Sequence, residues 1–211
     1  MISRLARSFT PRRQRGIARA MQVVLVGLFT LGVVERDPKV MLNTGVSLAI
    51  TFAPAALERN YRLHLDPFLS VWIAAAVFFH TIGSAGFYTY VGWWDHLTHA
   101  LSASLVAAVG YVLVRAIDLH IEEINLPRRV MFVYILVFVL AIGVVWELFE
   151  FALDLFAEAT GVMPPLSQFG LEDTVNDLLF NAFGAVLVAA AGQLYLTDTA
   201  ELVRRRLLEA G

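Results

Sequence analysis

Six stretches of the chain are long and apolar enough, or nearly so, to cross a membrane as helices, and this limits the fold more than any other feature. A membrane-spanning helix needs about 20 mostly apolar residues. The stretches are Ile17–Val34, Val40–Leu57, Pro67–Tyr88, His96–Val114, Val130–Phe151 and Val175–Leu196. With 58% hydrophobic and 16% charged residues the chain is more apolar than a soluble domain, for which about 50% and about 25% are usual. The sequence predicts an all-α, polytopic membrane helix bundle of about six transmembrane helices.

The six spans are expected to form one domain. Residues 17–197 carry the spans, 1–16 form a basic tail, and 198–211 form a second tail. A basic segment before an apolar run can also be a signal peptide, but no small-residue cleavage site follows the first stretch. We therefore expect the first helix to stay in the membrane.

The basic residues predict the orientation of the helices. When the six spans alternate in direction, all 16 Lys and Arg residues fall on one side except Arg36 and Lys39. Cytoplasmic loops of membrane proteins are enriched in Lys and Arg. We therefore expect a multi-pass protein of the cytoplasmic membrane with both termini in the cytoplasm.

Ionisable and polar residues within four of the predicted spans share one depth, near the outer face. They are His80 in the third stretch, Asp95, His96 and His99 at the start of the fourth, Glu147 and Glu150 at the end of the fifth, and Asp173, Asp177 and Asn181 at the start of the sixth. Spacings of three and four residues put most of these groups on one face of each helix. Because a charge at the bilayer centre costs at least roughly 2.5–3.5 kcal/mol, we expect these faces to turn inward and form a single site.

Each of these residues, considered alone, also has a structural explanation. Asp95 and Asp173 would then be helix N-caps. Glu147 and Glu150 would mark an interfacial helix end, and His80 and Asn181 would form hydrogen bonds between helices. These explanations do not account for several carboxyl groups at one level. Only Arg36 and Lys39 are available there to balance the negative charge.

The shortage of basic partners favours a metal ion. Imidazoles and carboxylates, in a chain without cysteine, suit zinc, manganese or non-haem iron. Glu147 is expected to act as the general base on a metal-bound water. His80 and Asn181 are further candidate site residues. The expected metal ligands are Asp95, His96, His99, Glu150, Asp173 and Asp177.

Three functions are compatible with such a site. The first is a metal-dependent hydrolase that acts on a lipid or a lipid-linked envelope substrate reaching the site from the membrane. The second is a cation- or proton-coupled transporter, although the chain shows no inverted repeat. The third is a non-catalytic structural or assembly factor. Nucleic acid is not an expected partner, because a net charge of −2 and a pI near 6.2 provide no basic surface field.

Three short segments carry a resemblance to a known family. They are Asp95-His96-Leu97-Thr98-His99, Trp146-Glu147-Leu148-Phe149-Glu150 and Asp173-Thr174-Val175-Asn176-Asp177. With these motifs, over roughly residues 67–197, the chain resembles the YjdF-like inner-membrane family and is more distantly similar to VanZ-type membrane proteins. The first resemblance implies a small polytopic protein with a site at these positions and no established reaction. The second implies a cell-envelope glycan or lipid, by analogy alone.

Overall fold

The computed structural model describes residues 10–63, 65–121, 123, 125–161, 164, 166 and 169–210, and all the regular secondary structure in that part of the chain is helical. The helix Pro67–Ile82 continues through a π-helical turn, Gly83–Phe87, and a last turn, Tyr88–Tyr90. The prediction of an all-α fold is confirmed. In chain order the helices are α1 Pro11–Glu35, α2 Pro38–Thr51, α3 Ala53–Tyr61, α4 Pro67–Ile82, α5 Trp94–His120, α6 Arg128–Thr160, α7 Leu171–Tyr195 and α8 Thr197–Ala210.

Among the described residues, five helices are long and apolar enough to cross a membrane: α1, α4 with its continuation to Tyr90, α5, α6 and α7. The pair α2 and α3, bent by 40°, makes a sixth span if it is one broken span. Pro54 explains the break, because it has no N–H to donate to the carbonyl of Ile50 and so cannot continue α2. The predicted multi-pass membrane protein with about six spans is thus confirmed, with the second stretch bent.

The starts of two helices follow from the same dipeptide. Asp37 precedes Pro38 at the start of α2, and Asp66 precedes Pro67 at the start of α4. Each aspartate side chain accepts hydrogen bonds from backbone N–H groups of the first turn, at 2.7–3.1 Å. Proline fits the first helical position because its fixed φ is helical and the missing N–H has no partner there.

Helix α6 is longer than the sequence predicts. The fifth stretch was expected to end near Phe151, with its acids at the helix end, but α6 continues to Thr160 over 33 residues. Its length is about 50 Å, well beyond the hydrocarbon core of about 30 Å. Glu147 and Glu150 therefore lie within a continuous helix and not at its end, which corrects that part of the prediction.

The chain divides into two compact units, Met1–Trp94 with Gly161–Pro165, and Asp95–Thr160 with Leu166–Gly211. In the first unit, α1, α2 and α4 pack against one another, and in the second, α6 packs along α7. Helix α1 begins inside the segment expected as an N-terminal tail, and the expected C-terminal tail forms α8.

In the second unit, Gly184 on α7 lies directly against the backbone of α5. A Cβ atom at this position would lie 2.3 Å from the carbonyl oxygen of Ala100, which is a backbone atom and cannot rotate away. Only glycine permits this approach of two helices. The contact holds the segment that begins with Asp95 against the helix that carries Asp177.

Candidate metal site

Asp95, His99 and Asp177 form one group in the second unit. Helix α5 supplies Asp95 and His99 from consecutive turns, and α7 supplies Asp177. The Nε2 atom of His99 lies 3.7 Å from Asp95 Oδ1 and 3.6 Å from Asp177 Oδ1, and one ligand atom from each residue lies within 4.8 Å of the others. These separations are longer than a hydrogen bond and near the edge, about 3.4 Å, of a tetrahedron whose ligands lie about 2.1 Å from zinc. The three side chains can therefore hold a divalent ion.

Asp177 is the buried member of this group. It is 2% exposed, and its Oδ1 atom makes no hydrogen bond with any residue in the described part of the chain. The side chains of His99 and Asp95 are 16% and 29% exposed, so the group is accessible from the side of Asp95. A buried carboxylate oxygen without a donor is costly unless a cation or a proton satisfies it. This oxygen therefore points to a ligand at the group.

Glu147 on α6 has one oxygen held in place and one without a partner. Its Oε2 accepts a hydrogen bond from the Thr174 hydroxyl at 2.9 Å, whereas its Oε1 has no hydrogen-bond partner among the described residues. The side chain is 4% exposed, and its charge acts on Asp177. The hydrogen bond fixes the orientation of the carboxylate and leaves Oε1 able to accept a proton.

Glu150 and Asp173 lie near the group, and each has a hydrogen bond of its own. Glu150, 9% exposed, accepts one from the Trp146 indole N–H at 3.0 Å. Asp173 accepts one from the backbone N–H of Phe169 at 3.3 Å, which stabilises the start of α7. The charge of Asp173 acts on both Glu150 and Asp177. The structure thus places both residues beside the three-residue group.

No lysine or arginine forms a salt bridge with these carboxyl groups within the residues that the structure describes. Arg115 pairs with Asp118, and Arg204 and Arg205 pair with Glu201. Like charges in a low-dielectric environment repel strongly, so cations or bound protons must offset this repulsion. The carboxyl groups that act on one another are Asp95, Glu147, Glu150, Asp173 and Asp177.

His96 and Asn181 make contacts between helices. The His96 ring stacks on the Phe180 ring with centroids 4.3 Å apart and an interplanar angle of 10°, outside the three-residue group. Asn181 is 6% exposed, and its amide nitrogen lies against Gly143, where a Cβ atom would be 2.9 Å away. Both residues therefore contribute to helix packing within the second unit.

His80 belongs to the first unit. Its Nδ1 atom lies 2.9 Å from the Tyr88 hydroxyl. Gly86 adopts a φ of 140°, and the Tyr88 ring lies over Gly83, where a Cβ atom would be 2.4 Å away. His80 therefore has a hydrogen-bonding partner within its own unit. Within the second unit, the structure brings together candidate residues of α5, α6 and α7.

Sequence reasoning missed the supporting residues. Thr174 has a signal, since it lies three residues before Asp177 on the same helical face. Trp146 likewise precedes Glu150 by one turn. Gly184 has no local signal, because its contact with Ala100 joins distant parts of the chain.

Comparison with known proteins matches most of the chain to one family. The family described as "Predicted membrane protein (DUF2238)" matches residues 17–198, which include every candidate site residue. A Thermotoga maritima protein described as an uncharacterized protein is 25% identical over 142 residues, which cover 65% of this chain and 68% of that protein. No solved structure matches the chain.

Proposed function

The chain belongs to the DUF2238 family of predicted membrane proteins, and we propose that it is a metal-dependent membrane hydrolase whose divalent ion is held by Asp95, His99 and Asp177. The observation that carries the proposal is the buried Oδ1 atom of Asp177, which lacks a hydrogen-bond donor and lies 3.6 Å from His99 Nε2. A divalent ion there would satisfy this oxygen and offset the repulsion among the neighbouring acids. One imidazole with carboxylates suits zinc, manganese or iron.

Three protein ligands would leave coordination positions for a water molecule and a substrate. A divalent ion in such a site makes the bound water a stronger nucleophile. We assign Glu147 as the general base, because Thr174 orients its carboxylate and Oε1 is available to take the proton. For ions with more ligands, Glu150, Asp173 and His96 are the proposed further donors.

The proposed substrate is a lipid or a lipid-linked molecule of the cell envelope. The helices that carry the site, α5, α6 and α7, are all candidate membrane spans, so a substrate can approach along the bilayer. Asp95 is the most exposed member of the group, and we propose that the substrate reaches the ion from its side. The likeness to VanZ-type proteins supports this substrate class by analogy.

The proposed location is the cytoplasmic membrane, with both termini in the cytoplasm. The support is the distribution of Lys and Arg, all of which except Arg36 and Lys39 fall on one side of six alternating spans. Within the family, we place the chain with the YjdF-like inner-membrane proteins on the strength of the three motifs at Asp95, Trp146 and Asp173.

Elemental analysis of the detergent-purified full chain tests the metal part of the proposal. We expect stoichiometric zinc, manganese or iron in the wild type and none in His99→Ala. The matched control is His120→Ala, an exposed histidine at the other end of the same helix, which should keep the metal. Equal metal in His99→Ala and the wild type, or no metal in either after supplementation, would contradict the proposal.

Glu147→Gln separates binding from catalysis. We expect this variant to retain the metal but to release no hydrolysis product from envelope lipids, whereas Asp177→Asn should lose both metal and activity. Product release is measured on vesicles of total envelope lipid by mass spectrometry. Proteoliposomes test the alternative of a transporter. If the wild type shows metal-dependent cation flux and no lipid turnover, and Glu147→Gln abolishes the flux, the protein is a transporter and not a hydrolase.

A further inference from the structure

A surface groove runs along the first part of α6. Its volume is about 580 Å³. Apart from Arg129 at one end, the side chains that line it are apolar or aromatic, and they recur every three or four residues along one helix face. Those that define the groove are Arg129, Val133, Tyr134, Val137, Phe138 and Ala141.

The length of the groove along the helix is close to the thickness of one membrane leaflet. From Arg129 to Ala141 the helix rises about 18 Å, and half of the hydrocarbon core is about 15 Å thick. Helix α6 is itself a candidate span, and Arg129 is at its start. A cation at one end of an apolar track of this depth matches the form of an anionic phospholipid, with its headgroup at the arginine and an acyl chain along the track.

The floor of the groove is held by packing between α5 and α6. The rings of Tyr134 and Phe138 stack with centroids 5.8 Å apart and an interplanar angle of 15°. The Phe138 ring lies against Gly110, where a Cβ atom would be 2.7 Å away. Because Gly110 has no side chain, Phe138 can lie close to α5 and leave the space above it open.

Arg129 is exposed and forms no salt bridge with any residue that the structure describes. Arg115 differs, because Asp118 binds it. A guanidinium group binds phosphate oxygens through paired, charge-assisted hydrogen bonds. The charge of Arg129 is therefore available to a lipid phosphate.

We propose that this groove binds one anionic phospholipid, with the phosphate at Arg129 and one acyl chain extending to Ala141. The proposal is independent of the metal site, because it uses a different part of α6 and none of the acidic residues.

Native mass spectrometry of the full chain in detergent tests this proposal, with phosphatidylglycerol and phosphatidylcholine of identical acyl chains as probes. We expect the wild type to prefer phosphatidylglycerol by about fivefold, and Arg129→Gln to reduce the preference to near equality. The matched control is Arg128→Gln, which removes the same charge one position around the helix, outside the groove, and should keep the preference. Ala141→Trp should weaken binding of both lipids, because the indole fills the end of the acyl track.

Three results would overturn the proposal. An unchanged preference in Arg129→Gln would place the discrimination outside the groove, and an equal loss in Arg128→Gln would assign it to overall charge. A wild-type dimer that Ala141→Trp converts to a monomer, with unchanged lipid binding, would assign the groove to a second copy of the chain. Melting curves of each variant in detergent confirm that it is folded.

Discussion

The two units differ in the hydrogen bonding of the buried polar side chains in their candidate spans. In the first unit the fully buried polar side chains are uncharged, and some of them form hydrogen bonds across helices. The Thr81 hydroxyl donates to Ser47 Oγ at 2.7 Å, and the Gln22 amide donates to Thr51 Oγ1 at 3.1 Å. Such pairs hold helices together in a membrane and require no ligand.

In the second unit several of the buried polar side chains are acids, and two buried carboxylate oxygens have no hydrogen-bond partner in the described part of the chain. These are Oε1 of Glu147 and Oδ1 of Asp177. Ionisable groups within membrane spans are costly and generally mark functional sites. Hydrogen bonding, and not polarity alone, therefore distinguishes the buried residues that hold helices together in the first unit from the carboxylates of the candidate site.

A substitution that disrupts the close contact at Gly184 should have the largest effect on the stability of the second unit. We expect Gly184→Ala to lower the free energy of unfolding by about 3 kcal/mol, because its Cβ would meet the backbone oxygen of Ala100. The variant should also bind metal more weakly, since the contact positions α5 against α7. Thermal unfolding in detergent and metal titration measure both effects.

The matched control for this prediction is Gly27→Ala in the first unit. Gly27 lies in α1, and a Cβ atom there would have no other atom within 4 Å, so this substitution should cause no loss of stability. Equal destabilisation by the two substitutions would show that any added methyl group disturbs these helices, and the contact at Gly184 would lose its special role.

Neutralising Asp177 should have opposite effects in the presence and absence of metal. Metal at 100 times its Kd should stabilise the wild type by about 2.7 kcal/mol, and a chelator should remove this gain. Asp177→Asn should melt above the metal-free wild type, because it relieves repulsion from Asp95 and Glu147, and metal should not shift its melting point. A variant that melts below the metal-free wild type would make Asp177 a structural residue like those of the first unit.

The number of spans was predictable because a bilayer requires about 20 apolar residues for each helix, and this requirement is local in sequence. The ends of the helices were less predictable. Hydropathy reports where lipid contact ceases, so it placed the end of the fifth span at Phe151 although α6 continues to Thr160. The break before Pro54 depends on one proline within an otherwise continuous apolar stretch.

The candidate site was predictable as far as helical periodicity reaches. The spacing of Asp95 and His99 places them on consecutive turns, and the shared depth of the acids brings Asp177 to them. Periodicity gives no information on contacts between helices. It therefore could not show that His96 stacks on Phe180, or that Thr174 orients Glu147.

The neutral pairs of the first unit should give a smaller and metal-independent effect. We expect Thr81→Val to cost about 0.6–1.7 kcal/mol, the range found for hydrogen bonds between membrane helices. A double-mutant cycle with Ser47→Ala isolates the contribution of this pair, and elemental analysis should show unchanged metal content. A loss of metal in Thr81→Val would remove the distinction between the two units.

Changing the surroundings of Glu201 on α8 should have the smallest effect on stability. It tests whether a charged side chain matters to this fold only where it is buried. Hydrogen bonds from Arg204, at 2.6 and 2.8 Å, and from Arg205 lower the pKa of the Glu201 carboxyl from its ordinary 4.5 to about 2. Because the folded-state pKa lies below the unfolded one, the stabilisation is complete above about pH 4.5 and is lost as the pH falls towards 2. The pair is exposed to solvent, so salt should weaken it further.

An NMR titration of the Glu201 carboxyl measures this shift in the full chain. Arg204→Gln should return the pKa towards 4.5, leave metal content unchanged and lower the melting point at neutral pH only slightly, because solvent replaces most of what the lost partner supplied. Asp177 has no such replacement, since it is 2% exposed. If Arg204→Gln instead reduced stability as much as Thr81→Val, any charged pair would matter to this fold, and the unpartnered oxygens of the second unit would no longer stand apart.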